Sequence, residues 1–246
     1  MKGVIKREIR KINPSKLGLR SMTVESFSEL GVGEGNMNYL CKINNKKFIC
    51  RVNIDRKMPS KARDEYRALK AVEHLGIAPK AFYLHKASTT CLFDFIILEY
   101  IEGKAFRMKK RTYLKEQIKE MAKILAGLHN IKDDKLARSN YSYKHYLDGG
   151  LAYIELINKR TNMGFESELK NLHNKIKGRI PLREAHEFGL IHGDICPQNI
   201  IETRNGLRLI DWESLQFSDP ARDIANIIID MGLKDKNLEL FFDRIR

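Results

Sequence analysis

Two hydrophobic rhythms divide this chain. In the first hundred residues short apolar runs predict strands around 22–29, 37–43, 47–53, 80–86 and 92–101. Asn44 and Asn45 fall between the second and third runs and signal a hairpin. One segment breaks the rhythm. Ala62, Tyr66, Leu69, Val72 and Leu75 recur at helical spacing and predict a helix over 60–75, ended by Gly76 with Pro79 just beyond. Residues 9–20 read as a short helix or lead-in. After Gly103 helical spacing takes over. Tyr113, Ile118, Met121, Leu125 and Leu128 mark a helix over 113–129, and 147–160, 165–178, 220–232 and 236–245 read as further helices. The expected architecture is α+β. A small antiparallel-sheet lobe spans 1–102, a hinge lies near Glu99–Gly103, and a larger, mainly helical lobe spans 103–246. A ligand would sit in the cleft between the lobes.

Two polar clusters among apolar runs interrupt the helical half. His192-Gly193-Asp194 is followed by Asn199, which sets a carboxylate and an amide five residues apart on a tight loop. Asp211-Trp212-Glu213 follows a short strand-like run. These are parts for phosphoryl transfer: one Asp to take the proton of a hydroxyl, an Asn and a second Asp to hold the metal that clamps phosphates. Asp194 is the better base, and His192 reads as a structural residue bonded to the loop backbone. Asn199 and Asp211 offer hard oxygen ligands, which suit magnesium rather than zinc. Asp223, in the first turn of a helix, would buttress the loop by accepting backbone N–H bonds; a charge favoured by the helix dipole is the other reading.

The first half carries candidate partners for that chemistry. Gly31, Gly33, Gly35 and Asn36 lie between two strands, where glycine lets backbone N–H groups approach phosphate. Taken alone the turn is equally a flexible hairpin, and no Gly-Lys-Ser/Thr follows to make it a Walker loop. Arg51 puts one cation in an apolar strand. An outward Arg is ordinary; an inward one would bind phosphates and need a carboxylate when no nucleotide is present. Glu65 is the natural partner, since Asp64 points about 100° away around the helix. Glu99 and Ile101 end a strongly apolar strand; in a two-lobed kinase this is the hinge, whose backbone groups would pair with adenine, and an ordinary strand end fits the segment equally.

Charge widens the list of partners. The 246 residues carry a formal +14. Lys2, Lys6, Arg7, Arg10, Lys11, Lys16 and Arg20 face Glu8 alone in residues 1–20. Residues 104–119 repeat the imbalance, with Lys104, Arg107, Lys109, Lys110, Arg111, Lys115 and Lys119 against Glu116. Such patches could attract nucleic acid, acidic membrane or anionic substrate, but a solvated basic face is the preferred reading. No RNA-binding or zinc-finger motif accompanies them. No apolar run nears the roughly 20 residues of a membrane span, and the first residues lack a signal-peptide core. Cys41, Cys50, Cys91 and Cys196 lack metal-type spacing and read as free thiols in a reducing cytoplasm.

Together the motifs resemble the aminoglycoside phosphotransferase / choline kinase superfamily, which shares the protein-kinase-like fold. The resemblance runs from about Gly31 to Ala225 and is anchored by His192-Gly193-Asp194-x-x-x-x-Asn199, Ile210-Asp211-Trp212-Glu213 and Asp219-Pro220-x-x-Asp223. It implies a small-molecule kinase using ATP and Mg²⁺. Asp194 would be the base, Asn199 and Asp211 the metal ligands, and Arg51 the phosphate contact paired with Glu65. Arg51 and the Asp-Trp-Glu motif resemble the bacterial-type choline kinase branch. Only seven residues separate Asp211 from Asp219, too few for a phosphorylatable activation loop, and Gly193 replaces the Arg that would read one. About sixty residues between His129 and His192 match the insertion of small-molecule kinases. Choline, ethanolamine or an aminoglycoside are the expected acceptors. Glu213, Asp219 and Asp230 are candidate carboxylates for a cationic acceptor, and Tyr141, Tyr143, Tyr146 and Tyr153 are candidate stacking residues, with a core or surface role the preferred reading for most of them. The family usually has further helices after the Asp223 position, so the final helices are expected to be short or truncated. The rival readings are a small atypical protein kinase and a nucleotide- or RNA-binding module that keeps the fold.

Overall fold

The sheet grows from the Asn44-Asn45 turn. Both residues take positive φ, 47° and 63°, as a two-residue hairpin requires. They join β2 (Asn36–Ile43) to β3 (Lys46–Asn53). With β1 (Val24–Val32), β4 (Ala81–His85) and β5 (Phe95–Glu99) they form an antiparallel sheet in the order β1-β2-β3-β5-β4. In this computed structural model the residues described are 1–33, 35–55, 60–106, 115–131, 143–161, 164, 166–177 and 188–245. Alternation along β3 sends Phe48, Cys50 and Val52 into an outer core with Tyr39, Phe95 and Ile97. Ile49 packs on an inner core with Ile96 and Leu98. Arg51 shares that inner face, opposite Ile96 in the register.

The N-terminal helix lies earlier than the pattern suggests. α1 (Lys2–Ile9) packs Ile5 and Ile9 on the outer core. The segment read as a short helix or lead-in is a lead-in holding a 3-10 turn, Pro14–Leu17, opened by Asn13 Oδ1 accepting from the Ser15 amide and closed by Gly18 at φ 65°. Pro14 is the reason: it has no N–H to give and its ring would strike the carbonyl of Arg10 in a continuing helix.

α2 (Lys61–Val72) runs on as a 3-10 turn, Glu73–Leu75, to Gly76 at φ 67°. Ala62, Glu65, Ala68, Leu69 and Val72 form its buried stripe, so Glu65 faces inward while Asp64 is exposed. Below the sheet, α3 (Lys115–His129) packs on α7 (Asp235–Ile245), where Phe241 joins Ile118, Met121 and Leu125 in the inner core. α4 (Tyr143–Thr161) and α5 (Glu166–Lys177) pack on each other.

Short strands carry the two polar clusters. β6 (Lys104–Ala105), β8 (Ile200–Thr203) and β9 (Gly206–Leu209) form one small sheet. β7 (Gly189–Ile191) pairs with β10 (Gln216–Ser218), and α6 (Ala221–Asp230) follows. β6 escapes a pattern search because two residues carry no periodicity. The basic residues at 107–114, Tyr141, and the side chains of Tyr143 and Tyr146 lie outside the described residues; Tyr153 is exposed on α4. Among the described residues no helix is long and apolar enough to cross a membrane. All four cysteines are free thiols.

Candidate active site

The two small sheets bring the polar clusters together. β7 delivers the chain to His192 and β9 delivers it to Asp211, and the Ile210 amide donates to the Asn199 carbonyl at 2.8 Å. Asp194 stands exposed on its loop. Asn199 Nδ2 donates to the Asp194 carbonyl at 2.9 Å and to its Oδ2 at 3.0 Å, which leaves Asn199 Oδ1 as an acceptor. Asp211 adopts the left-handed region at φ 67°, a conformation that non-glycine residues reach at a cost and that recurs at functional turns.

Asp223 supports this loop from beneath. Fully buried, it accepts the amides of His192 at 2.8 Å and Gly193 at 2.9 Å, with His129 Nε2 at 3.2 Å. His192 is a structural residue in this geometry. Burial pushes its imidazole below the ordinary range. Nδ1 accepts the Asp194 amide, so Nε2 carries the proton and donates to the Ile210 carbonyl at 3.1 Å. Its ring meets Trp212 edge-on, with centroids 4.6 Å apart. Gly193 is fixed by this packing: at φ 83° a Cβ would stand 2.6 Å from the Ser214 carbonyl oxygen.

Arg51 reaches across from the sheet. Its Nε lies 2.9 Å from Glu65, and its Nη2 lies 2.5 Å from Asp211 Oδ1 and 2.7 Å from Glu213 Oε2. Burial opposes the guanidinium's charge, but three carboxylates outweigh burial and hold its pKa above the ordinary value. Glu65 is 3% exposed. Burial, with Asp211 and Glu213 nearby, pushes its carboxyl up to about 7 against the pull of Arg51. Three carboxylates thus converge on Arg51, and Lys61 adds a second cation at Glu213.

Arg51, Glu65 and Asp211 line one cleft of about 470 Å³ with Gly31, Glu99, Ile101 and the apolar side chains of Leu30, Ile49, Leu98, Ile201 and Ile210. That size is ordinary for a small-molecule site. Gly33 closes the adjoining turn by donating to the Asn36 carbonyl at 2.8 Å. Neither Gly31 nor Gly33 takes positive φ, and a Cβ at either meets nothing nearer than 3.8 Å; packing alone does not demand these glycines. Gly35 is different, because a Cβ there would stand 3.0 Å from Lys61 Nζ. Asn36 is buried, and its amide donates to Glu213. Glu99 commits its N–H to the Lys80 carbonyl and its carboxylate to Arg208, at 2.8 and 3.3 Å. It therefore ties β5 to β9, a strut between sheet and lower lobe.

Two expectations for acceptor binding change. Glu213 is not a free carboxylate: Arg51, Asn36 and Lys61 hold it, the last at 3.0 Å. Asp219 is buried, and its Oδ1 accepts the Ala221 amide. Asp230 remains half-buried. Burial raises the Cys196 thiol, and the charges of Asp194 and Asp230 add to the rise. Among the described residues no three His, Cys, Asp or Glu side chains form a metal cage. The Asp211 carboxylate and Asn199 Oδ1 nevertheless fit magnesium, which binds through one or two protein oxygens plus water and phosphate.

Comparison with known proteins agrees with this architecture. The phosphotransferase enzyme family matches residues 26–241. A thiamine kinase of Escherichia coli is 27% identical over 200 residues, 78% of this chain and 62% of its own length. The LicA homolog of Mycoplasma capricolum is 25% identical over 150 residues, 60% of this chain and 56% of its own. The chain thus spans less than two thirds of these relatives. Among solved structures, the gentamicin complex of APH(2")-IIa superposes with a TM-score of 0.70 at 15% identity, covering 100% of this chain and 81% of that one. Choline kinase from Cryptosporidium parvum gives 0.66 at 16% identity, covering 100% and 80%. These likenesses establish the two-lobed protein-kinase-like fold. With the family match spanning most of its residues, this chain belongs to the phosphotransferase enzyme family.

Proposed function

We propose that this chain is an ATP- and magnesium-dependent kinase that phosphorylates a hydroxyl of a small, amine-bearing molecule. The observation that carries this reading is that Arg51 meets Asp211 in an apolar-walled cleft, while the bond from the Ile210 amide to the Asn199 carbonyl ties the Asp194–Asn199 loop to the residue just before Asp211. Leu30, Ile49, Leu98, Ile201 and Ile210 would sandwich the base, with the backbone at Glu99 and Ile101 as its polar edge. Arg51 would bind phosphate oxygens, held in place by Glu65. The open space over Gly31 and Gly33 would admit the phosphates to the turn. Magnesium, when bound by Asp211 and Asn199, would supply neutralising charge to the phosphates. Asp194 would take the proton of the acceptor hydroxyl as its oxygen bonds to the γ-phosphorus and the bond to the ADP oxygen breaks. Asp223, through the His192 and Gly193 amides, would hold Asp194 in register.

Acceptor class follows from charge. Thiamine, choline and gentamicin, which appear in the names of similar proteins, all combine hydroxyl groups with cationic nitrogen. Asp194, exposed on its loop, would offer such a cation a carboxylate. The test is an acceptor screen coupled to ADP release, with thiamine, choline, ethanolamine and an aminoglycoside. At least one amino alcohol should raise ADP release well above the acceptor-free rate. Phosphate transfer to protein alone, or salt-sensitive RNA binding without turnover, would contradict the reading.

A further inference from the structure

Lys61 opens α2, where the positive end of the helix dipole disfavours a cation. It is nonetheless drawn inward: its side chain is 17% exposed and its Nζ lies 3.0 Å from Glu213 Oε1. The same ammonium lies 3.0 Å from the point where a Cβ on Gly35 would stand, so the missing side chain of Gly35 makes room for it at the glycine turn. The Glu213 carboxylate therefore gathers three donors from three elements: Asn36 Nδ2 from β2, Arg51 Nη2 from β3 and Lys61 Nζ from α2. A set of donors converging on one anionic oxygen pair is the chemistry that recognises a phosphate. A residue that breaks a local helix rule beside a cleft is the kind of exception that marks a functional position.

We infer that Lys61 is a second polyphosphate-binding cation of the nucleotide site, parked on Glu213 until nucleotide arrives. This rests on the proposal that the cleft binds a nucleoside triphosphate. Arg51 is anchored from behind by Glu65, whereas Lys61 ends in a compact charge on a flexible stem that can swing a short way from Glu213 to a phosphate oxygen. Gly35 keeps that path open, because any side chain there would contact the ammonium.

The test is calorimetric titration of ATP, ADP, AMP and adenosine, in magnesium buffer, into the wild type, Lys61→Ala and Lys61→Arg, with thermal melting of each. Loss of one charge-assisted contact should weaken ATP by about tenfold or more in Lys61→Ala. Adenosine should bind within about twofold of the wild type, because it has no phosphate to lose. Lys61→Arg should restore most of the ATP affinity. A lobe tie alone would instead lower the melting temperature and weaken all four ligands alike, and that result overturns the inference. Wild-type affinity for ATP in Lys61→Ala overturns it too. If the wild type binds none of the four, the nucleotide reading itself fails, and that outcome is separate from any effect of Lys61.

Discussion

Replacing Asp223 tests how the reactive loop is held. Its carboxylate accepts the His192 and Gly193 amides at 2.8 and 2.9 Å with no exposure to solvent. Asp223→Ala leaves both amides buried without an acceptor, at about 1–3 kcal/mol each. Roughly 4 kcal/mol is then lost from a total that for natural domains is about 5–15 kcal/mol. Asp223→Asn keeps one acceptor oxygen but turns an NH₂ toward the other amide, and should cost about half as much. The loop then relaxes, and Asp194 lies one residue beyond Gly193. A displacement of about 1 Å in a reacting group is worth about 10²-fold in rate. Urea unfolding read by linear extrapolation gives the first quantity, and ADP release with the identified acceptor gives the second. The expected order in both is wild type, then Asn, then Ala. An Asp223→Ala protein within about 0.5 kcal/mol of the wild type and with normal turnover would refute the reasoning.

Further outcomes follow from the same geometry. Glu65 is raised in the folded state to about 7, above the ordinary glutamate value of about 4.3. The stability it contributes is therefore fully present below about pH 4.3 and is lost as pH rises toward 7, at up to about 1.4 kcal/mol per unit. Glu65→Gln should flatten that part of the urea-stability profile against pH; a profile unchanged by the substitution contradicts the burial argument. Gly193→Ala places a Cβ 2.6 Å from the Ser214 carbonyl oxygen at φ 83° and should destabilise by more than about 1 kcal/mol. Calorimetric melting at the wild-type temperature would count against the loop geometry.

What the sequence made legible is what local chemistry encodes. The helix ended by Gly76, the Asn44-Asn45 hairpin and the inward stripe of α2 are short-range features, and the periods of 2 and 3.6 carry them. Arg51 and Glu65 could be paired on paper because a cation in an apolar strand requires a carboxylate, and only one of two adjacent acids lies on the buried face. Of the two readings of 9–20, short helix or lead-in, the second holds, because Pro14 stops a helix there and leaves a 3-10 turn. The tie between Glu99 and Arg208 and the clamp of Lys61 on Glu213 leave no local trace. Each is a charge on an ordinary polar position until the fold brings its partner from the other lobe. Gly193 is a similar case: its motif suggests the loss of an arginine, whereas the fold shows a backbone too close to Ser214 for any side chain.

The central claim is that the loop from His192 to Asn199 performs phosphoryl transfer with Asp194 as the base. Asp194→Asn measures it most directly, because the side chain is exposed and its shape is preserved. Phosphorylation of the best acceptor should fall by about 10²-fold or more, while ATP affinity by titration and the melting temperature stay near the wild-type values. Near-normal turnover by Asp194→Asn with that acceptor would contradict the account.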